Sequence, residues 1–261
     1  MVTDVSAFVG GYPYRHVEPA DPDSLLRHME RMGIERAWVG YLPAFLYRDP
    51  RAGNRSLARV LSPHADRLAP IPTLNPGLPG WQQDLNEALA HGAPAVRLYP
   101  QHQGLDPVGD QVRVASVAAA AGGLSVVLTV KFEDRRQRHP LDTAPDLPPS
   151  AVRALARSDP DLRLIVTGAE RDFVEEVHFG LTPDEAARIL WDFAWVWGPP
   201  EDHLAHLLDV VGVERFTLGT WMPLRIPDAV FAKLDLLDLN AADRKALLGG
   251  NLERWLSAQK G

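Results

Sequence analysis

Short apolar runs alternate with stretches of helical periodicity from one end of the chain to the other. Apolar runs bounded by turn residues predict strands, and apolar residues three to four positions apart predict helices. The predicted strands are Val2–Val9, Arg36–Tyr41, Leu68–Leu74, Ala95–Tyr99, Ser125–Lys131, Leu162–Thr167, Ile189–Ala194 and Arg215–Leu218. The helices that follow them are Asp21–Met32, Ala52–Ser62, Gly80–His91, Val108–Ala121, Pro149–Arg157, Arg171–Val177, Glu201–Val211 and Ile226–Leu237. A further helix is predicted over Ala241–Ser257.

Residues at the helix boundaries support this interpretation. Asp21 and Pro22 place a capping side chain before a proline in the first turn, an arrangement typical of helix starts. Asn240 precedes the last predicted helix in the same way. Gly33 and Gly212 stand where helix-ending glycines belong, because glycine readily adopts the left-handed conformation.

The regular alternation of strands and helices predicts a parallel sheet. Eight such units in 261 residues match a single (β/α)₈ barrel of α/β class with an additional C-terminal helix. We expect residues 1–261 to form one domain. A doubly wound sheet is the alternative, but Gly10-Gly11-Tyr12-Pro13 after the first strand does not form the glycine-rich nucleotide-binding turn.

The composition excludes several classes of protein. Disorder is incompatible with 46% hydrophobic residues, and the absence of Cys excludes a disulfide-stapled module. No apolar run approaches the ~20 residues that span a bilayer. A net charge of −7 offers no basic field for nucleic acid. The first residues lack the features of a signal peptide, so we expect a cytoplasmic protein without membrane or nucleic-acid partners.

Active-site groups of such barrels lie at the carboxyl ends of the strands. The candidates there are polar or aromatic: Tyr14, Arg15, Asn75, Arg97, Tyr99, His102, Lys131, Glu133, Asp134, Arg136, His139 and Trp221. The segment Glu133–Pro140 is the densest group, with two acids, three arginines and a histidine. It predicts a pocket for an anion, although a solvated surface loop is the alternative.

The charges of this segment suggest a division of roles. Arginines bind carboxylate or phosphate with two parallel hydrogen bonds, so Arg15, Arg97 and Arg136 would bind an anionic ligand. We predict that Glu133, Arg136 and His139 point into the barrel mouth and meet Arg15 and Arg97. A carboxylate beside His139 would orient its imidazole for proton transfer.

Several motifs resemble those of amidohydrolase-related barrels, which include metal-dependent hydrolases and decarboxylases. The first strand, Asp4–Gly10, is similar to that family's Asp-x-His-x-His-x-Gly. Phe216–Pro223 resembles its Gly-Ser-Asp-x-Pro motif, and Gly250–Leu256 resembles its closing Gly-Asn-x-x-Arg pattern. Asn75-Pro76 and Arg97–Pro100 also fit. The run from Glu133 to Pro140 resembles that of a subgroup without an assigned reaction.

The departures from the family pattern concern its metal site. Ser6 and Phe8 replace the two histidines, and Trp221 replaces the aspartate of the eighth strand. Thr167 and Lys131 stand where further histidines are expected. Because phenyl and indole groups cannot bind zinc or its relatives, we predict no metal at this position and no cofactor. A relocated metal on His16, His102 and His139 is an alternative.

Two functions follow from the resemblance and its departures. The first is a metal-independent hydrolase or decarboxylase for a small anionic, cyclic substrate. Its catalytic groups would be Lys131, Glu133, Asp134 and His139, and its substrate would bind Tyr14, Arg15, Asn75, Arg97, Tyr99, His102, Arg136 and Trp221. Lys131 could act as a Schiff-base nucleophile or pair with Glu133.

The second function is a catalytically degenerate barrel that serves as a binding or assembly module. A coupled acid–base pair at the mouth would favour the enzyme, whereas a mouth filled by Trp221 and Phe8 would favour the module. A homodimer is left open, since no apolar stripe in the sequence specifies an interface.

Overall fold

A computed structural model describes residues 1–18, 21–198 and 200–257, so the predicted domain is described except for residues 19–20, 199 and 258–261. The strands are β1 (Thr3–Val9), β2 (Arg36–Tyr41), β3 (Leu68–Pro70), β4 (Ala95–Leu98), β5 (Ser125–Thr129), β6 (Leu164–Thr167), β7 (Ile189–Asp192) and β8 (Phe216–Thr217). The helices are α1 (Pro22–Met32), α2 (Arg51–Leu61), α3 (Trp81–Ala90), α4 (Asp110–Ala121), α5 (Pro149–Ser158), α6 (Arg171–His178), α7 (Pro183–Ala187), α8 (His203–Leu207), α9 (Pro227–Leu236), α10 (Ala241–Lys245) and α11 (Asn251–Ser257).

The strands form a closed parallel barrel. Parallel pairing joins β1 through β3 and β4 through β8 in sequence order. A bridge between Thr73 and Arg97 joins the two groups. The seam between β8 and β1 closes through hydrogen bonds from Val5 N to Leu218 O and from Trp221 N to Ser6 O. The predicted (β/α)₈ barrel is therefore confirmed, and the doubly wound alternative is wrong.

The barrel interior is filled by apolar side chains near the amino ends of the strands. This cluster contains Val5, Trp38, Ile71, Ala95, Val127, Ile165 and Leu190. Trp255 and Leu252 of α11 pack on the same cluster, so the C-terminal helix covers this end of the barrel. Intervening residues such as Val126 and Leu128 belong to the larger core, as alternation along a strand requires.

The predicted helix starts after Asp21 and Asn240 and the predicted helix end at Gly33 are confirmed, because capping residues define them. The Asp21 carboxylate accepts from Ser24 N at 2.9 Å, and the Asn240 amide oxygen accepts from Asp243 N at 2.9 Å. Gly33 adopts φ 68° at the end of α1. These bonds satisfy backbone N–H groups that the first helical turn leaves free.

The predicted C-terminal helix is instead two helices. A wide turn over residues 246–250 separates α10 from α11. At Gly249 a β-carbon would lie 2.1 Å from the carbonyl oxygen of Met1, so only glycine allows the turn to pass the start of β1. The break positions α11, and with it Trp255, beneath the barrel.

Among the residues that the structure describes, none of the helices combines the length and apolarity needed to cross a membrane.

Candidate active site at the barrel mouth

A layer of buried polar groups lies inside the barrel above the apolar cluster. Asp192, at the end of β7, is completely buried. Its carboxylate accepts from Ser6 Oγ at 2.9 Å, from Gly168 N at 3.2 Å and from the indole N–H of Trp221. Burial raises the pKa of Asp192, and these donors oppose the rise. The carboxylate thus fixes the indole of Trp221 inside the barrel.

Trp221 occupies the place where the sequence resemblance positions a metal ligand. Its φ of 61° lies in the left-handed region, and its side chain is completely buried. The indole packs edge-on against Phe8 and Phe132, with ring centroids 5.7 and 5.9 Å away. Gly168 makes room for it, because a β-carbon there would lie 2.9 Å from the indole ring.

These side chains do not fit a metal ion at that position. Phe8 and Trp221 offer no ligand atom, and the Lys131 ammonium is held by Glu170 at 2.9 Å. The three histidines proposed for a relocated metal site each contact a different residue, so they do not form a shared set of ligands. His16 pairs with Glu18, His102 with Asp142, and His139 stacks on Tyr14. Within residues 1–18, 21–198 and 200–257, no three His, Asp or Glu side chains converge to hold a metal.

Arg97 is the most unusual charge in the molecule. Its inward position on β4 leaves the side chain 0% exposed, with its Cζ 4.6 Å from the centre of the Phe8 ring. None of its three guanidinium nitrogens has a hydrogen-bond partner among the described residues. Its charge and a side-chain interaction with Tyr99 oppose the burial that raises the pKa of Tyr99, and its charge lowers the raised pKa of Asp192. A buried guanidinium without hydrogen bonds costs several kcal/mol.

An aromatic layer covers the barrel axis at this level. It consists of six side chains that are at most 5% exposed: Phe8, Tyr12, Phe45, Tyr99, Phe132 and Trp221. Phe45 and Phe132 form its centre, with ring centroids 4.2 Å apart. Phe45 lies on the short helical turn Leu42–Leu46 after β2, and Phe132 follows β5. Access to the interior from the mouth therefore depends on the loops that carry these two rings.

A buried histidine–carboxylate pair lies against the aromatic layer. His102 Nε2 lies 3.2 Å from Asp142 Oδ1, and the two side chains are only 5% and 3% exposed. Burial lowers the pKa of His102, and the charge of Asp142 works against this effect. The Nδ1 atom is buried without a hydrogen-bond partner among the described residues. With Asp142 accepting from Nε2, the free nitrogen is the one that can accept a proton.

The predicted meeting of Arg15 and Glu133 is observed. Arg15 Nε donates to Glu133 Oε1 at 2.9 Å, and its Nη2 donates to the carbonyl of Leu224 at 3.0 Å. His139 stacks on Tyr14 with ring centroids 4.8 Å apart. Burial raises the pKa of Tyr12, and the charges of Glu133 and Asp142 add to the rise. These groups and His102 form one polar cluster over the aromatic layer.

The prediction for Arg136 is wrong. Its side chain is 77% exposed and pairs with Asp134, not with Arg97 or Glu133. The reason is that β5 ends at Thr129 and the chain then turns sharply. The Asp134 carboxylate accepts from the backbone N of Arg136 at 2.8 Å and closes this turn, so the pKa of Asp134 is lowered by its hydrogen bonds to Arg136. Neither residue faces the barrel axis.

Other predicted site residues have different partners from those expected. Arg97 lies in the barrel interior on Phe8 and does not contact Glu133, and Lys131 pairs with Glu170, not Glu133. Asn75 uses its amide to join two loops, donating to Arg48 O of the loop after β2 at 2.8 Å and accepting from Gly77 N at 3.0 Å. These bonds hold its side chain against the backbone. Trp221 fills the interior and does not line an open pocket.

Several residues of this region were missed by sequence reasoning. Asp142 lies two residues after the charged run, and only the fold brings it to His102. Asp192 lies within the predicted strand Ile189–Ala194, but the inward direction of its side chain cannot be read from so short a strand. Asp4 carries a signal that could have been used, because it is an acid within the completely buried strand β1.

Asp4 provides a test of the polar interior through pH. Its carboxylate accepts from the backbone N of Ser6 and of Thr220, and from the Thr220 hydroxyl. Burial raises its pKa to about 6. The folded state therefore binds the proton more tightly than the unfolded state, and Asp4 lowers stability as the pH rises from 4 to 7.

We expect Asp4→Asn to remove this pH dependence. The wild type should lose up to about 3 kcal/mol of unfolding free energy relative to the variant between pH 4 and pH 7. Urea denaturation at both pH values measures the difference. A pH-independent gap between the two proteins would contradict the assignment. Asp238→Asn, at an exposed carboxylate, serves as the control.

The geometry defines a class: a parallel (β/α)₈ barrel with a polar cluster and a buried acid–base pair at its carboxyl end. No family model matches the chain, and no curated protein matches it. Solved structures match the chain over nearly its full length. A 2,6-dihydroxybenzoate decarboxylase from Rhizobium has a TM-score of 0.71 at 15% identity, covering 99% of each chain.

Two further solved structures show the same likeness. A 5-carboxyvanillate decarboxylase from Sphingomonas paucimobilis has a TM-score of 0.72 at 12% identity, covering 98% of both chains. A protein from Acinetobacter baumannii, named a probable 2-pyrone-4,6-dicarboxylic acid hydrolase, has a TM-score of 0.68 at 12% identity over 98% of this chain and 99% of its own. The chain thus shares the fold of amidohydrolase-related barrels, and the resemblance seen in the sequence is confirmed at the level of the fold.

Proposed function

We propose that this protein is an enzyme that hydrolyses a small cyclic carboxylate, such as a lactone or pyrone acid, without a metal at the family position. The observation that carries the proposal is Arg97, a completely buried guanidinium whose three nitrogens lack partners among the described residues. A carboxylate would supply both the missing charge and the missing acceptors. The aromatic layer around it would pack on a flat ring.

The His102–Asp142 pair supplies the acid–base chemistry in this proposal. Because burial lowers the pKa of His102, the imidazole is neutral near pH 7 and can act as a base. Its Nδ1 would take a proton from water as the water oxygen attacks the ester carbonyl. The ring C–O bond then breaks, and the imidazolium returns the proton to the leaving oxygen. General-base catalysis of this kind contributes about 10²–10⁴-fold.

The neighbouring structures support the choice of substrate class. Their names refer to dihydroxybenzoate, carboxyvanillate and pyrone dicarboxylate, which are cyclic carboxylates. We favour hydrolysis because the free nitrogen of His102 is a proton acceptor beside the mouth. In this interpretation Arg15 and Glu133 shape the entrance, and Lys131 stays engaged with Glu170.

A second candidate function rests on the aromatic layer itself. Phe8 and Trp221 fill the barrel axis, as expected for a barrel that has lost catalysis and keeps a ligand site. In that case Arg97 would bind the carboxylate of a ligand that is not turned over.

A substrate panel separates the two functions. Lactone, pyrone and benzoic acids would be incubated with the protein, each beside its neutral amide analogue, before and after chelator treatment. We expect hydrolysis of at least one cyclic carboxylate, no turnover of its amide analogue and no loss after chelation. Tight binding without turnover would establish the module instead. Activity abolished by the chelator and restored by a divalent metal would overturn metal independence.

A further inference from the structure

A cavity lies on the shoulder of the barrel, away from the axis. It occupies about 300 Å³ between the loop 193–198, which follows β7, and helix α9. Its walls come from Trp195, Trp197, Arg225, Val230, Lys233 and Leu236, together with small residues of both segments. This size is at the lower end of small-molecule sites, so a ligand of one or two rings would fill it.

Arg225 gives this shoulder cavity a positive charge that no acid neutralises by contact. Its Cζ lies 4.3 Å from the centre of the Trp195 ring. Three carboxylates face it from neighbouring elements: Asp134, Glu170 and Asp192. Each is bonded elsewhere, to Arg136, to Lys131 and to Trp221 respectively. Within the described part of the chain, Arg225 forms no ion pair.

Trp195 lines the same cavity and carries an unused hydrogen-bond donor. The residue is 7% exposed, and its buried indole nitrogen has no partner among the described residues. A buried donor without an acceptor is unfavourable, and a carboxylate would supply the acceptor. Arg225 and Lys131 lie over the Trp195 ring, 4.3 and 4.9 Å from its centre, so the apolar walls provide the surface on which a ligand ring would pack.

Lys233 fixes the walls of the cavity without competing for a ligand. Its ammonium donates to the carbonyls of Phe193, Ala194 and Val196 at 2.8–3.0 Å. These three bonds use all of its N–H groups and tie the loop to α9. The cavity is thus held open by internal bonds, and its free charge comes from Arg225.

We propose that the shoulder cavity is a second ligand site, for a small planar molecule that carries one carboxylate. The carboxylate binds the Arg225 guanidinium and the Trp195 indole N–H, and the ring packs against the apolar walls. This site is separate from Arg97, and its occupation does not depend on catalysis at the axis.

Fluorine NMR of protein labelled with 5-fluorotryptophan tests the proposal. The chain has seven tryptophans, and the resonance missing from Trp195→Phe identifies Trp195. Benzoate is the probe, benzamide its neutral analogue and acetate an anion without a ring. We expect benzoate to shift the Trp195 resonance in a saturable way, with benzamide and acetate at least ten-fold weaker.

Variants then locate the bound probe. Arg225→Met should weaken benzoate at least ten-fold at this resonance, whereas Arg97→Met and the exposed control Arg113→Met should leave its affinity within two-fold. Equal binding of benzoate and benzamide, or an unchanged affinity in Arg225→Met, would overturn the proposal. Loss of the benzoate shift in Arg97→Met alone would assign all binding to the axis.

Discussion

Replacing Arg97 by Met should make the protein more stable in buffer without small carboxylates, by about 1–4 kcal/mol. Met has a similar length and needs no hydrogen bond, whereas the Arg97 guanidinium is completely buried and its nitrogens have no partner among the described residues. The variant loses the contact of Arg97 with the Phe8 ring, which is worth about 2 kcal/mol at most. Removing the buried charge also removes its desolvation cost, which at several kcal/mol is larger than the value of that contact.

Formate should reverse the order of stability between the two proteins. It carries a carboxylate and no ring, so it can reach Arg97 with little displacement of the aromatic layer. A ligand that binds only the folded state raises its stability by about 2.7 kcal/mol at one hundred times its Kd. We expect formate to raise the unfolding free energy of the wild type and to leave that of Arg97→Met nearly unchanged.

Arg138 is the matched control for this experiment. It is also largely buried, but it pairs with Asp146 and donates to the carbonyl of Ala144. Arg138→Met leaves Asp146 without its ion-pair partner and should destabilise the fold. If Arg97→Met were destabilising to the same degree, Arg97 would be a structural partner of Asp192 and the anion site would be refuted.

The sequence determined the architecture because hydrophobic period and capping residues act locally. The alternation of strands and helices, the cap at Asp21 and the glycine at the end of α1 all appear as predicted. The helix breaks were harder to foresee. The turn at Gly249 arises from a close approach to Met1, a contact between opposite ends of the chain that no local pattern encodes.

The site was predicted only in part, for a related reason. Strand position predicts that Arg97, His102, Lys131 and Glu133 lie at the carboxyl end, and the structure has them there; their role in a site stays a prediction. The contact partners of these side chains were not predictable, because they depend on the direction of each side chain and on the conformation of the loops. Asp134 illustrates this: a short-range bond to the Arg136 backbone turns Asp134 and Arg136 away from the mouth, while Glu133 and His139 of the same run stay in the cluster there. Asp142 reaches His102 from forty residues along the chain.

The structure also changes the meaning of the missing metal ligands. Their replacements do more than leave a gap, because Ser6 and Trp221 both donate to Asp192, and Phe8 supports Arg97. The interior therefore holds the Arg97 guanidinium, which has no hydrogen-bond partner among the described residues, near the buried acid Asp192. In the proposed function this guanidinium is the group that binds the anion.

Replacing His102 by Gln should reduce kcat by about 10²–10⁴-fold on whichever cyclic carboxylate the enzyme hydrolyses. The amide cannot accept a proton, but it can still donate to Asp142, so the fold and KM should change little. Steady-state kinetics with urea denaturation of the same samples separates the two effects. His91→Gln is the control, since the side chain of that exposed histidine bonds, among the described residues, only to the carbonyl of Glu87.

The pH profile should show that His102 acts as the base and Asp142 as its positioning residue. Because burial lowers the pKa of His102, activity should persist below pH 6.5 and fall only when the imidazole protonates. The charge of Asp142 raises this pKa, so Asp142→Asn should move the acidic limb to still lower pH. An unmoved acidic limb in Asp142→Asn, or full activity in His102→Gln, would assign the base to another residue. His139, the remaining imidazole of the cluster, would then be the group to replace.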